Sequence, residues 1–374
     1  MKIIITGGGT GGHIIPALAI LDIIKNKYKD ASIMYLGGED SLEEELVKKQ
    51  GYYFKDIKTG YINRKLLSIH NLKSLFKNVT GTIQSLIAIR NFSPDIIIGT
   101  GGYVSGPVVF AGKILSKNII IHEQNALPGI TNKITGRFSD KIMISFEEAS
   151  KFFKDKSKLV FTGNPIRKEI INMSYEESRN FFNLKKDDFF VYSFGGSGGQ
   201  KSINNSILNS IDIIKNKKNI TWLHVTGKNY YESFMKTIQE KGISIPENMD
   251  ILDYMYEAPK ALKASNLVIG SAGAISIAEI IYLGKPCILI PKKYTSENHQ
   301  FYNAKEIENR GAGIVILEDD LSSEILIETV LKVAENKEIN IKMSQSSKKM
   351  FDYDFESNII KVIEEVLKSG KNEK

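Results

Sequence analysis

The sequence predicts an α/β protein of two doubly wound, Rossmann-like parallel-sheet domains, and three observations predict it. Short runs rich in Ile and Val alternate with longer segments of helical spacing, the pattern of parallel strands joined by crossover helices. Two glycine loops of the same spacing, Gly8-Gly9-Thr10-Gly11-Gly12-His13 and Gly195-Gly196-Ser197-Gly198-Gly199-Gln200, each follow such a run, so each half opens with the same device. The 374 residues suit two domains of ordinary size, each with its own apolar interior.

The strand candidates of the first half are residues 2–6, 32–36, 95–99, 118–121, 141–144 and 158–162. Those of the second are 189–194, 221–226, 250–252, 267–270, 287–290 and 313–316. Gly163-Asn164-Pro165 interrupts regular structure between the two sets, which predicts domains at 1–163 and 164–343. The polar run 344–349 and the helical spacing of 359–367 predict a closing helical segment over 344–374.

Hydrophobic residues at 42% and charged residues at 25% are values of a folded globular chain. No apolar run approaches the roughly 18 residues that cross a bilayer, and Met1-Lys2 leads directly into a strand instead of a secretory apolar region. The expected location is therefore the cytoplasmic side. The lone cysteine, Cys287, lies in an apolar stretch and supports neither a disulfide framework nor a cysteine metal site. The net charge of +7 is uneven: residues 1–163 hold 22 Lys and Arg against 14 Asp and Glu, whereas the remainder holds 28 against 29. An anionic partner is expected for the first half, either a phosphorylated ligand, a membrane surface or nucleic acid.

Chemistry concentrates where strands end. Glycines in the two loops admit positive φ and close approach to main-chain N–H groups, and the helix that follows adds partial positive charge, a combination suited to phosphate. Gly7-x-Gly9-x-x-Gly12 by itself also satisfies a dinucleotide fingerprint, with Glu39 as a ribose partner. A second glycine loop near residue 195 and the titratable His13 at a helix start do not belong to that scheme. A third glycine cluster, Gly99 to Pro107, contains Gly101, Gly102, Tyr103 and Ser105, and His122-Glu123-Gln124-Asn125 follows the strand 118–121. In parallel sheets ligands bind at the carboxyl ends of strands, so these clusters outline one binding surface. In the second half Gly270 to Glu279 runs from a strand end into a helix, where small residues admit a diphosphate and Glu279 offers two oxygens to a ribose diol. Glu297-Asn298-His299-Gln300 and Asn303 supply donors and acceptors suited to sugar hydroxyls.

Taken in order, Gly-Gly-Thr-Gly-Gly-His at 8–13, Gly-Gly-Tyr-Val-Ser-Gly-Pro at 101–107, His-Glu-Gln-Asn at 122–125, Gly-Asn-Pro-Ile-Arg at 163–167 and the stretches 195–204, 273–279 and 298–304 carry a family resemblance. The chain resembles, over most of its length, the bacterial UDP-N-acetylglucosamine:N-acetylmuramyl-(pentapeptide) pyrophosphoryl-undecaprenol N-acetylglucosamine transferases of glycosyltransferase family 28. The resemblance implies the GT-B architecture, two Rossmann-like domains facing across a cleft, with the lipid-linked acceptor on the first and UDP-N-acetylglucosamine mainly on the second. It implies that Thr10, Gly11, Gly12 and Asn125 border the donor sugar and that Arg167 and Ser197 face its nucleotide and diphosphate. It further implies that Ala274, Ile275, Ser276, Ile277, Ala278 and Glu279 hold phosphate and ribose, that the Leu252 backbone meets uracil, and that Gln300 and Asn303 bind sugar. Gly101, Gly102, Tyr103 and Ser105 fall to the acceptor. Ser271, where many members have arginine, His299, which replaces a glutamine, and Gly198-Gly199-Gln200 depart from the pattern.

Inverting transfer to an acceptor 4-hydroxyl asks for a base beside that hydroxyl and positive potential beside the departing diphosphate. His13 is the expected base, with an ordinary pKa of roughly 6.5, and Glu123 is the alternative. No cofactor is expected and no metal: Asp352-Tyr353-Asp354 matches an Asp-x-Asp pair formally but lies away from every ligand loop. Between Arg64 and Arg90, Leu66, Leu67, Leu75 and Phe76 interleave with Lys65, Lys73 and Lys77, which predicts peripheral contact with an anionic membrane surface and no nucleic-acid partner. A nucleotide-binding oxidoreductase and a same-fold epimerase or glycolipid transferase are the competing readings.

Overall fold

A computed structural model describes residues 1–61, 69–196 and 198–372. The chain divides into two compact units, Met1–Pro165 together with Tyr353–Lys374, and Ile166–Asp352. The sequence boundary after residue 163 thus lies two residues from the structural one, and the segment 344–374 is shared between the units.

The first unit is built on a seven-stranded parallel sheet of order β3-β2-β1-β4-β5-β6-β7. Its strands are β1 (Lys2–Thr6), β2 (Ser32–Gly38), β3 (Tyr53–Ile57), β4 (Ile96–Gly99), β5 (Asn118–Glu123), β6 (Lys141–Ile144) and β7 (Leu159–Phe161). Six of them coincide with the expected runs. β3 carries no such run: Lys55 and Asp56 interrupt Tyr53–Ile57, of which only Ile57 is fully buried at this sheet edge. In the centre, Ile3, Ile4 and Ile5 are all fully buried, as a strand covered on both faces requires. Ile4, Met34, Ile97, Ile119 and Ile121 form a core with Ile89 and Val108 of the covering helices.

The closing helix, Phe355–Asn372, belongs to this first unit. Ile359, Val362, Ile363 and Val366 are buried, and the Tyr28 hydroxyl donates to Glu364 at 2.6 Å. Asp354 starts the helix by accepting from the Ser357 N–H at 3.0 Å and from its hydroxyl at 2.6 Å, which gives the second carboxylate of the Asp-x-Asp match a capping task. Between them Tyr353 packs edge-on against Phe161 and closes over Gly163. Gly163 has φ +74°, and a Cβ there would lie 2.0 Å from the Tyr353 ring, so this contact requires glycine.

Helix Ile69–Phe92 buries Ala88 and Ile89 in the core near its end, but over its earlier turns it is inverted relative to a water-facing helix. Asn71, Ser74 and Ser85 are buried, with Ser74 donating to the Tyr61 carbonyl, whereas Leu72, Leu75, Phe76, Val79, Ile83 and Ile87 are each more than half exposed. Lys73 and Lys77 flank that outward stripe. Leu66 and Leu67 lie outside the described residues. Among the described residues no helix is long and apolar enough to cross a membrane.

The second unit carries a six-stranded parallel sheet of order β10-β9-β8-β11-β12-β13. Its strands are β8 (Phe189–Phe194), β9 (Ile220–Val225), β10 (Met249–Leu252), β11 (Leu267–Gly270), β12 (Cys287–Leu289) and β13 (Gly313–Val315), all within or beside the expected runs. Trp222, Phe234, Ile269, Ile288 and Val330 belong to its core, and Cys287 is a buried free thiol. In each sheet the order reverses direction beside the first strand, so the loops after β1 and β4, and after β8 and β11, flank the topological switch points.

The closing helix is expected to be integral to the first unit. Ile363→Ala, at a fully buried position, should cost about 2–5 kcal/mol in denaturant unfolding; a loss below about 0.5 kcal/mol would show the helix to be a detachable appendage.

Candidate active site

At the first switch point the loops after β1 and β4 are tied to each other. The Gly8 N–H donates to the Gly101 carbonyl at 3.3 Å, the Thr100 hydroxyl donates to the His13 carbonyl at 2.7 Å, and the Tyr35 hydroxyl donates to the Gly7 carbonyl. Gly102, at φ +78°, passes so close to the Gly8 carbonyl that a Cβ would sit 2.0 Å from it. Tyr103 lies against Gly9, and Ser105, which is buried, starts the helix Ser105–Ile114 by donating to the Gly102 carbonyl at 3.1 Å. Thr10 and Gly12 are exposed at the start of helix Gly11–Lys27, with Gly11 partly so. Glu43, itself buried, accepts from the Gly9 N–H at 3.3 Å and the Gly38 N–H at 3.2 Å, bracing the glycine loop from behind.

His13 is the third residue of its helix but turns its ring away from it. Its Nδ1 lies 3.0 Å from the Thr100 carbonyl and 3.2 Å from Gln124 Oε1. Both are acceptors, so Nδ1 bears the proton and Nε2 the lone pair. Nε2 has no hydrogen-bond partner among the described residues. Burial depresses the imidazole pKa below its ordinary 6.5, against the opposing bonds to Gln124 and Thr100, so the ring is neutral near pH 7.

Glu123 is differently placed. Its carboxylate is buried and accepts from the Asn125 N–H at 2.9 Å, Asn125 Nδ2 at 3.1 Å, Asn132 Nδ2 at 2.8 Å and the Gly129 N–H at 3.2 Å. Burial raises its pKa and these four bonds oppose that rise. Its oxygens therefore organise the loop 125–132, which sets Asn125 at the strand end. His122, buried beside it, is pushed down to about 4 by desolvation and stays neutral.

In the second unit Arg167 and Glu279 form a bidentate ion pair, Nε to Oε1 at 2.5 Å and Nη2 to Oε2 at 2.9 Å. Burial lifts the pKa of the Glu279 carboxyl and Arg167 opposes that rise through a fork-to-fork contact. Helix Ala274–Tyr282 presents Ile275 and Ser276 partly exposed at its amino end, while Ala274, Ile277 and Ala278 are buried against the unit. Leu252 is exposed at the end of β10. Gln300 accepts from the Ala272 N–H at 3.2 Å and the Lys292 N–H at 3.0 Å, and Asn303, fully buried, donates to the Ala272 carbonyl at 3.2 Å. These two side chains pin the 271–273 turn. Lys292 reaches back to donate to the Gly199 carbonyl at 2.8 Å, placing an ammonium on the second glycine loop. Ser197 lies outside the described residues. Among the described residues no group of three or more His, Cys, Asp or Glu could hold a metal ion.

The structure thus gathers His13, Thr10, Gly11, Gly12, Gly101, Gly102, Tyr103 and the 122–125 cluster at one switch point, and Arg167, Glu279, Gln300 and Asn303 about the other. Sequence reasoning passed over Gln124, Glu43, Asn132 and Lys292. Gln124 lies inside the 122–125 motif, and Lys292 directly follows Pro291 at a strand end; Glu43 and Asn132 carry no local signal for the site, because Gly9 lies 34 residues from Glu43 and Glu123 lies 9 residues from Asn132.

Comparison with known proteins places this geometry in a family. Residues 3–144 match the glycosyltransferase family 28 N-terminal domain and residues 190–359 its C-terminal domain. A UDP-N-acetylglucosamine--N-acetylmuramyl-(pentapeptide) pyrophosphoryl-undecaprenol N-acetylglucosamine transferase of Clostridioides difficile (strain 630) is 45% identical over 352 residues, covering 93% of this chain and 85% of its own length. The protein of the same description from Desulforamulus reducens is 40% identical over 98% of this chain and 99% of its own. The crystal structure of Acinetobacter baumannii MurG shares the fold, with a TM-score of 0.76 at 22% identity, covering 97% of this chain and 99% of that one. The chain belongs to glycosyltransferase family 28, within the bacterial N-acetylglucosamine transferases that bear this pyrophosphoryl-undecaprenol description.

Proposed function

We propose that this protein transfers N-acetylglucosamine from UDP-N-acetylglucosamine to the 4-hydroxyl of undecaprenyl-diphosphate-linked N-acetylmuramyl-pentapeptide, giving the disaccharide lipid precursor of peptidoglycan. The names of the relatives supply both substrates. The observation that carries the mechanism is the neutral imidazole of His13, with Nδ1 occupied and Nε2 without a partner among the described residues at the first switch point.

In this reading Nε2 takes the proton of the acceptor hydroxyl as its oxygen attacks the anomeric carbon and the bond to UDP breaks. The electron pair leaves with the diphosphate. Leaving-group charge falls to the second unit, where the glycine loop at 195–199, the amino end of helix Ala274–Tyr282 and the Lys292 ammonium provide positive potential. Arg167 donates one bond to each Glu279 oxygen, so the ribose is met by the carboxylate's remaining lone pairs, and Gln300 and Asn303 serve the donor by fixing the turn it rests on. Glu123 acts by shaping the Asn125 loop, since its oxygens are committed to neighbouring N–H groups. Gly101, Gly102 and Tyr103 face the acceptor.

The acceptor's lipid suggests why helix Ile69–Phe92 exposes its apolar face. An outward stripe of Leu72, Leu75, Phe76, Val79, Ile83 and Ile87 is costly in water and is stabilised against hydrocarbon, while Lys73 and Lys77 meet anionic headgroups. Peripheral attachment to the cytoplasmic face of the cell membrane follows.

The transfer is tested by incubating the protein with labelled UDP-N-acetylglucosamine and the lipid-linked muramyl-pentapeptide; absence of a disaccharide lipid would refute it. His13→Ala should lower kcat about 10²- to 10⁴-fold while UDP binding is kept, and full turnover in that variant would remove His13 as base. Because the neutral ring is the active form and burial lowers its pKa, kcat/KM should hold through neutral pH and fall only on acidification below 6.5. Replacing Leu75 and Phe76 by Ser should weaken flotation with anionic phosphatidylglycerol vesicles about tenfold or more; unchanged binding would exclude this helix as the attachment surface.

A further inference from the structure

One buried side chain beside the site connects more partners than any role so far given to it requires. Gln124 is almost fully buried at the end of β5. Its Oε1 accepts from His13 Nδ1 at 3.2 Å, and its Nε2 lies 2.9 Å from the Thr100 carbonyl, 3.0 Å from His122 Nδ1 and 3.0 Å from the His122 carbonyl. His122 Nε2 in turn lies 3.2 Å from the Gly163 carbonyl. The main-chain carbonyls at the two ends of this chain can only accept. Thr100 therefore requires a proton on His13 Nδ1, and Gly163 requires one on His122 Nε2, which leaves His122 Nδ1 as an acceptor. Only one orientation of the Gln124 amide satisfies both neighbours: the oxygen toward His13 and the NH2 toward Thr100 and His122. Reversed, its oxygen would face two carbonyl oxygens.

We propose that Gln124 is a positioning residue that, together with the Thr100 carbonyl, holds His13 in the Nδ1–H tautomer and fixes its ring, so that the lone pair of Nε2 is presented to the reacting hydroxyl. The inference rests on the reading of His13 as base. The amide is itself held from outside: Asn164 Nδ2 donates to the Gln124 carbonyl at 3.0 Å, and Ser145 bonds Asn164 Oδ1 at 2.9 Å and the Glu123 carbonyl at 2.9 Å. Proton order at His13 is thereby set by buried groups reaching from β4, β5, β6 and the end of β7, and not by its own helix.

Groups facing the imidazole come from each element packed on it. Thr100, Gly101 and Gly102 follow β4, Gln124 follows β5, and Asn132 of helix Ile130–Thr135 approaches Gly101. The titratable ones among them and their neighbours are His122, which is neutral, Glu123, which is turned to Asn125, Gly129 and Asn132, and Tyr103, whose ring lies on Gly9. No carboxylate among the described residues bonds the His13 ring, so a charge introduced at 124 acts on it directly.

The test combines nitrogen-15 NMR of the imidazole with two near-isosteric variants of the full chain. In the wild type Nδ1 should resonate as protonated and Nε2 as unprotonated. Gln124→Met should leave Nδ1–H to the Thr100 carbonyl alone and lower kcat about tenfold with the KM for UDP-N-acetylglucosamine little changed, moving the acid limb of kcat/KM to lower pH. Gln124→Glu keeps an acceptor for Nδ1–H but sets its second oxygen against the Thr100 and His122 carbonyls; its negative charge should move that limb to higher pH, with a lowered melting temperature from that contact. Opposite displacements are not expected from loosened packing, and a melting curve for each variant shows whether it is folded. An Nε2–H tautomer in the wild type, or an unchanged kcat and pH profile in both folded variants, would overturn the role of Gln124. An active His13→Ala protein with the Nδ1–H tautomer intact in its parent would instead overturn the base assignment and leave the hold on the tautomer standing.

Discussion

Two hydrogen bonds between Thr100 and His13 hold the candidate site together. The threonine hydroxyl donates to the His13 carbonyl at 2.7 Å, and the His13 ring returns a donor to the Thr100 carbonyl at 3.0 Å. Each is worth only about 0.5–1.5 kcal/mol net, yet together they join the loop after β1 to the loop after β4. Those strands are neighbours at the point where the sheet order reverses. A doubly wound sheet leaves its loops divergent there, and the opening is where a ligand finds main-chain N–H groups. In this unit the opening is bridged by a titratable side chain, so the feature that fixes the loops also fixes the imidazole.

The second unit solves a related problem by other means. Its glycine loop follows β8, and the turn after β11 is secured by Gln300 and Asn303, which reach from helix His299–Asn309 to the Ala272 backbone. No histidine stands at the corresponding place: Gln200 begins the segment before helix Lys201–Ile214 and donates to Glu318 at 2.9 Å. A cation, Lys292, touches the loop instead. The two halves share a topology and a glycine device, but one carries an imidazole at its glycine loop and the other an ammonium.

Much of this was legible in the sequence because both sheets are central and parallel. Runs such as Ile3-Ile4-Ile5 and Ile96-Ile97-Ile98 must be apolar on both faces, so they announce themselves without alternation. β3 was silent for the opposite reason, since Lys55 and Asp56 interrupt it and leave no continuous run. The clusters that end strands were legible as clusters, but the division of labour within them was not. Glu123 and Gln124 are adjacent, polar and equally buried; only the distances separate a carboxylate committed to its own loop from an amide that addresses His13. The helix Ile69–Phe92 presented apolar and basic residues in the sequence, yet only the structure shows that Asn71, Ser74 and Ser85 share the buried side with Ala88 and Ile89 while Leu75 and Phe76 face outward.

The proposed transfer is a single displacement in which His13 is the base and no side chain becomes bonded to sugar. UDP-N-acetylglucosamine carries its sugar in the α configuration, so one displacement must deliver the β-linked product, whereas two displacements through a carboxylate nucleophile would restore the α linkage. The proton NMR coupling of the new anomeric centre in the purified disaccharide lipid measures this directly. A β linkage is the predicted result, and an α linkage would contradict it.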